Sequence, residues 1–150
     1  MEPKRQYQPA LKIAGPSVRT TNQDEAHPTT GRIPGLWARF FGDNVMGKTP
    51  HRDPADLRNF GVYAGYASDA QGAYDVTAGI AVTEGATVQI ESGDYLVFDA
   101  SGPMPQAVVA AWMQAWQYFA ANPEVKRSYR SDFEAYTSPV SASVHIGIVS

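Results

Sequence analysis

Cysteine is absent from the 150-residue chain, which excludes disulfides, thiolate metal sites and cysteine nucleophiles. Histidine is scarce. His27, His51 and His145 stand alone, two in loops and one in the last strand, without HxH or HExxH spacing, so no metal or other cofactor is expected. Positive charge is short as well. A formal net charge of −3 argues against direct nucleic-acid binding, which needs a basic face to neutralise phosphates. The one basic cluster, Lys126, Arg127 and Arg130, reads as the solvated entrance to a strand. No apolar run approaches the roughly 18 residues of a membrane span. The opening MEPKRQYQPALK lacks the apolar core of a secretion signal. The expectation is a cytoplasmic protein with no membrane partner.

Enough apolar material remains for one core. A composition of 43% hydrophobic and 18% charged residues suits a soluble globule, and the length suits one domain over 1–150. Residues 7–20 read as a strand that Pro9 and Pro16 confine to edge or bulged geometry. Thr21 and Asn22 form an N-cap pair for the acidic turn Gln23-Asp24-Glu25. A helix is predicted over 33–42, where Ile33, Leu36, Trp37, Phe40 and Phe41 fall on one stripe. A polar loop covers 43–59. Strands follow at 60–67 and 73–82, paired as a hairpin across SDAQG. A long strand covers 86–98, with Gly93 as a bulge or bend. A second helix covers 104–120, with Val108, Trp112, Trp116 and Phe119 along one side, and Asn122-Pro123 stops it. The last strands are 128–137 and 143–149. The order strand–helix–strand–strand thus occurs twice, over 7–82 and 86–149. This predicts an α+β fold of two β-α-β-β repeats, antiparallel, with both helices on one face of the sheet.

The stretch GDNVMGKT at 42–49 has the letters of a nucleotide-binding P-loop. That motif works only where a strand enters the glycine loop and a helix starts at Lys-Thr, so that helix amides face the phosphates. Here an aromatic helix precedes it, and Pro50 and Pro54 follow. Pro54 would break the required helix. The motif reads as a chance match in a polar loop.

Other constellations are weaker. No GxSxG elbow accompanies the Ser, His and Asp residues. Asp24 and Glu25 are explained by helix capping. Asp132 and Glu134, two apart on one strand, are compatible with acid–base work, yet such pairs more often face water.

The informative stretch is SYRSDFEAYTSP, 128–139. On a strand, Arg130, Asp132, Glu134 and Tyr136 project to one side, and Tyr129, Ser131, Phe133 and Ala135 to the other. From alternation alone Glu134 reads as solvent-facing. The chain, however, carries only four leucines against three tryptophans, eight tyrosines and six phenylalanines. Such aromatic stripes serve either as core or as the wall of a site. Tyr and Trp combine an apolar body with a polar tip. A carboxylate ringed by them suits a lipophilic cation, through cation–π attraction and charge complementarity. Without a cation, a buried Glu would tend to take up a proton.

Six stretches in order carry a resemblance: IPGLWARFF (33–41), GVYAGY (61–66), GAYDVTAGIAV (72–82), SGDYLVFDASG (92–102), AWMQAWQYF (111–119) and DFEAY (132–136), before the final SVHIGIV. Together they resemble the GyrI-like, AraC-type effector-binding domain, and within it most of all the integron-associated effector-binding proteins. The resemblance implies a duplicated β-α-β-β fold with pseudo-twofold symmetry and a ligand cleft between the halves. It implies a glutamate in the cleft for cationic compounds, which falls on Glu134, with Tyr136 beside it. Trp37 and Phe41 are implied as ring walls, and Tyr63, Tyr74 and Trp112 as further ones. The multidrug regulators of this family carry a helix-turn-helix domain for which this chain has no room. The expected function is therefore a stand-alone receptor for amphipathic, cationic, drug-like compounds, with a protein partner or homodimer left open. The alternatives are a hydrolase of reactive cyclopropane-containing toxins, with Glu134 as general base in the same cleft, and a protein inhibitor like the gyrase-inhibitor relatives.

Overall fold

The computed structural model describes residues 3–149; the outermost residues of the expected 1–150 domain (1, 2 and 150) lie outside that span. Nine strands and four helices follow one another. β1 (Lys4–Gln8), β2 (Leu11–Ala14) and β3 (Ser17–Thr20) are separated at Pro9 and Pro16. Then come α1 (Asn22–Glu25), α2 (Ile33–Gly42), α3 (Val45–Lys48), β4 (Asn59–Ala64), β5 (Tyr74–Ala81), β6 (Val88–Ile90), β7 (Gly93–Ser101), α4 (Gln106–Ala121), β8 (Arg127–Ser138) and β9 (Ser141–Ile148). All strands pair antiparallel in one open sheet of order β1-β7-β9-β8-β4-β5-β2-β6, with β3 on β5. The α+β expectation holds.

The predicted 86–98 strand is in fact two. Gly93 sits at φ 153°, a backbone state that side chains disfavour. It releases β6 to pair with β2 while β7 runs between β1 and β9. The loop at 43–59 contains the short helix α3, which starts after Asn44 in the left-handed region (φ 51°). Gly47 is explained by this turn: a Cβ there would meet the Asn44 side chain at 2.6 Å. Helix α2 feeds that turn, and no strand enters it, so the GDNVMGKT match does not have P-loop architecture.

The central strands have two different faces. On one lie Ala142, Val144 and Ile146 of β9, Asp132 and Glu134 of β8, Gly61 and Tyr63 of β4, and Val76, Ala78 and Ile80 of β5, aligned by the ladder registers. Helix α4 covers the β7–β9 end of this face, packing Val108, Ala111 and Ala115 on Leu96, Phe98 and Val144. Small side chains at Ala111 and Ala115 let the helix approach closely, so the core stripe of α4 is not the predicted Trp112–Trp116 line; Trp116 is half exposed. Helix α2 covers the β5 end, inserting Leu36 and Phe40 against Val76, Ala78 and Ile80. Glu25 prepares its start, accepting the Arg32 and Ile33 amides at 2.7 and 3.2 Å, so its carboxylate caps α2, while Thr21 caps α1. The opposite face carries Phe60, Val62, Phe133 and Ala135, and the curled β2–β6 edge covers it with Ile13 and Ile90.

Candidate functional site

The two helices leave a gap over β4 and β8, and the gap is a cavity of about 710 Å³. Glu134 lies on its floor, 3% exposed. The expectation from alternation, a solvent-facing carboxylate, is overturned, because both helices stand on the face to which Glu134 points. Its neighbour across the ladder is Gly61. A Cβ on Gly61 would stand 2.7 Å from Glu134 Oε1 and 3.2 Å from the Trp37 ring. The missing side chain makes room for the carboxylate and the indole.

Three donors hold that carboxylate. Tyr63 O–H and Trp112 Nε1–H both donate to Oε2 at 2.7 Å, and Tyr136 O–H donates to Oε1 at 2.7 Å. They come from β4 in the first half of the chain and from α4 and β8 in the second, so the site is assembled from both halves. Among the described residues no cationic side chain pairs with Glu134. Burial raises its pKa above the usual carboxylate value, and the three donors, Trp112 most, pull it back only in part. Burial likewise raises the phenols of Tyr63 and Tyr136, reinforced by the Glu134 charge.

Aromatic rings wall the cavity. Trp37 meets Tyr136 edge-on at 5.2 Å and stacks with Phe41 at 6.1 Å. Tyr63 meets Trp112 at 5.1 Å and Tyr74 at 5.8 Å. Phe41 stands at the rim, 58% exposed. All seven residues singled out in the sequence, Glu134, Tyr136, Trp37, Tyr63, Tyr74, Trp112 and Phe41, thus line one cavity.

The sequence reading missed several lining residues. Trp116 lies one turn beyond Trp112 and continues the wall to the rim, and the i, i+4 spacing of two tryptophans was a usable signal. Tyr66 follows Tyr63 by three residues, beyond Gly65 at φ 63°, which turns its ring back onto Tyr74 at 5.7 Å. The largest correction concerns Arg127 and Asp132. Arg127 was expected in solvent and Asp132 as half of a water-facing pair. Instead Asp132 is 0% exposed, and the Arg127 side chain is only 10% exposed, donating from Nη2 to Asp132 Oδ2 at 2.8 Å. Tyr66 O–H donates to the same oxygen and the Gly147 amide to Oδ1. A bulge between Arg127 and Asp132, with Tyr129 at φ 54°, breaks the alternation there. It turns Tyr129 toward Tyr66 and Arg127, and sends Arg130 outward to Glu91.

The sequence profile of the family described as integron-associated effector binding protein matches residues 6–148. The fold is similar to that of an integron cassette protein from the mobile metagenome of Vibrio cholerae, at 32% identity and TM-score 0.83, over 99% of this chain and 96% of that one. It is similar to a protein solved bound to tetraphenylphosphonium, at 18% identity and TM-score 0.79, over 99% and 94% of the two chains. It is also similar to a provisionally named bacterial transcription regulation protein from Staphylococcus aureus, at 18% identity and TM-score 0.81, over 100% and 99%. No curated protein matches the chain in sequence.

Proposed function

Because the chain belongs to the integron-associated effector-binding protein family, we propose that it is a receptor for amphipathic organic cations, held in the cavity with Glu134 as counter-charge. One observation carries this reading. Glu134 is buried at the floor of an aromatic cavity and is held by three neutral donors, with no cation among the described residues paired to it. Neutral donors orient an anion but leave its charge uncompensated, and a buried uncompensated charge costs free energy that a bound cation recovers. The rings of Trp37, Tyr63, Tyr74, Trp112 and Tyr136 supply apolar contact and quadrupoles that favour positive charge. A volume of about 710 Å³ falls within the range that takes a drug-sized ligand. The structural neighbour solved with tetraphenylphosphonium, a bulky lipophilic cation, supports the same ligand class.

Calorimetric titration with tetraphenylphosphonium tests the reading, with triphenylphosphine oxide as a neutral aromatic control. The cation is expected to bind the native protein in the micromolar range. Glu134→Gln is expected to bind it at least about tenfold more weakly, roughly 1.4 kcal/mol, with the control little changed. Equal affinity of both proteins for the cation removes Glu134 from the site. Prolonged incubation with an aromatic compound bearing a reactive cyclopropane separates the two readings: a receptor returns it unchanged, whereas a hydrolase opens the ring.

A further inference from the structure

We propose that the cavity has a second recognition pole at Arg127, and that the favoured ligand is a cation bearing a neutral hydrogen-bond acceptor, such as an ester or amide carbonyl. This rests on the cation reading of Glu134 and adds the other end of the ligand. Arg127 lines the same cavity as Glu134. Its side chain is nine-tenths buried, yet its donors are under-used. Nη2 is engaged by Asp132. Nε is sealed in and meets no acceptor. Nη1 has no acceptor among the described residues, and the side chain belongs to the cavity wall. A guanidinium offers five N–H donors in a planar fork, and an unmet donor in a largely desolvated position gains by acquiring an acceptor.

The sign of the acceptor's charge follows from the neighbours. Asp132 already neutralises Arg127, and Glu134 adds a second carboxylate to the same cavity. A ligand carboxylate would therefore meet net repulsion, whereas a carbonyl oxygen would meet only the free N–H. The spacing is set by the fold. Asp132 and Glu134 are two residues apart on one strand face, about 7 Å at ~3.4 Å per residue. Tyr63, Tyr74 and Tyr66 bridge them, with ring centroids 5.8 and 5.7 Å apart. Tyr63 donates to Glu134 at one end, and Tyr66 to Asp132 at the other. A ligand lying along this tyrosine wall would place its cation at Glu134 and an acceptor four or five carbons away at Arg127.

Three triphenylphosphonium probes test the pole: one with a pentyl chain, one with a five-carbon chain ending in a methyl ester, and one ending in a carboxylate. Titration of the native protein is expected to give the ester at least about fivefold tighter than pentyl, and the carboxylate weakest. Arg127→Met should remove the ester's advantage over pentyl; because it leaves Asp132 unpaired it should strengthen binding of both cationic probes alike, so the ester-to-pentyl ratio is the readout. Since that variant strands Asp132, the paired variant Arg127→Met/Asp132→Asn, which removes both charges, serves where the single one fails to fold. Equal binding of ester and pentyl by the native protein overturns the second pole alone. So does an ester advantage that survives loss of Arg127. Failure of all three probes to bind overturns the cation reading and this inference with it.

Discussion

Two buried carboxylates sit two residues apart on the same face of β8, and they are treated differently. Asp132 has a guanidinium on one oxygen, with a phenol beside it, and a backbone amide on the other. Its charge is answered from within the chain. Glu134 has as many donors, two phenols and an indole, and none carries charge. The first arrangement locks structure: it ties the start of β8 to β9 and holds the bulge that brings Arg127 inward. The second holds an anion ready without neutralising it. Burial alone would not tell the two apart, since both side chains are almost wholly covered. The charge of the partner does.

The largest effect should come from breaking the Asp132 pair. Arg127→Met leaves an uncompensated charge at a fully buried position, and removal of one partner of a buried ion pair costs about 3 kcal/mol or more. Urea unfolding should show that loss. Glu134→Gln should be neutral or slightly stabilising at pH 7, because the amide fits the same space and relieves an unanswered charge. Similar losses in both variants would mean that Glu134 is a structural anion too, and the contrast would fail.

Much of the fold and of the ring wall was legible in the sequence, and the missing part has two causes. The repeated element order, the α2 stripe and the gathering of Trp37, Tyr63, Tyr74, Trp112 and Tyr136 around Glu134 follow from periodicity, punctuation and family resemblance, because each lies in a regular element. The burial of Glu134 could not be read from alternation. A strand face that carries a carboxylate looks the same whether helices or water cover it, and two helices arching over β4 and β8 are a tertiary fact. Asp132, on the same face of β8, was misread for the same reason, and Arg127 for a different one. A bulge shifts the side-chain period by one, and nothing in KRSYRSD announces that Tyr129 will take a positive φ. Gly93 was more legible, since glycine before a β-rich run signals a break, although whether it would bend one strand or separate two depended on which neighbours were free to pair.

The next effect sharpens the contrast through pH. Glu134 has a native pKa raised by burial, so the folded state holds its proton more tightly than the unfolded chain, where a glutamate titrates near 4.3. The resulting stabilisation is full below the unfolded value and is lost as pH rises through the native value. The melting temperature of the native protein minus that of Glu134→Gln should therefore fall as pH rises across that window. Cation affinity should move the opposite way, weak where Glu134 is protonated and rising as it ionises. A thermal series at several pH values, with and without tetraphenylphosphonium, reads both. A temperature difference that is flat with pH would mean that the native pKa is not raised.

The smallest effect isolates a single donor. Tyr136 is partly exposed to the cavity, so in Tyr136→Phe water can replace its hydroxyl, and cation affinity should fall by less than about fivefold, under ~1 kcal/mol. The informative readout is the position of the pH profile. Tyr136 donation lowers the Glu134 pKa, so its removal should shift the midpoint of cation binding to higher pH. Removing a wall residue that touches the ligand only as an apolar surface would weaken binding at every pH without moving that midpoint. A shifted midpoint assigns Tyr136 to the charge state of Glu134, while a uniform loss assigns it to the wall and leaves Tyr63 and Trp112, both on Oε2, as the donors that set the anion.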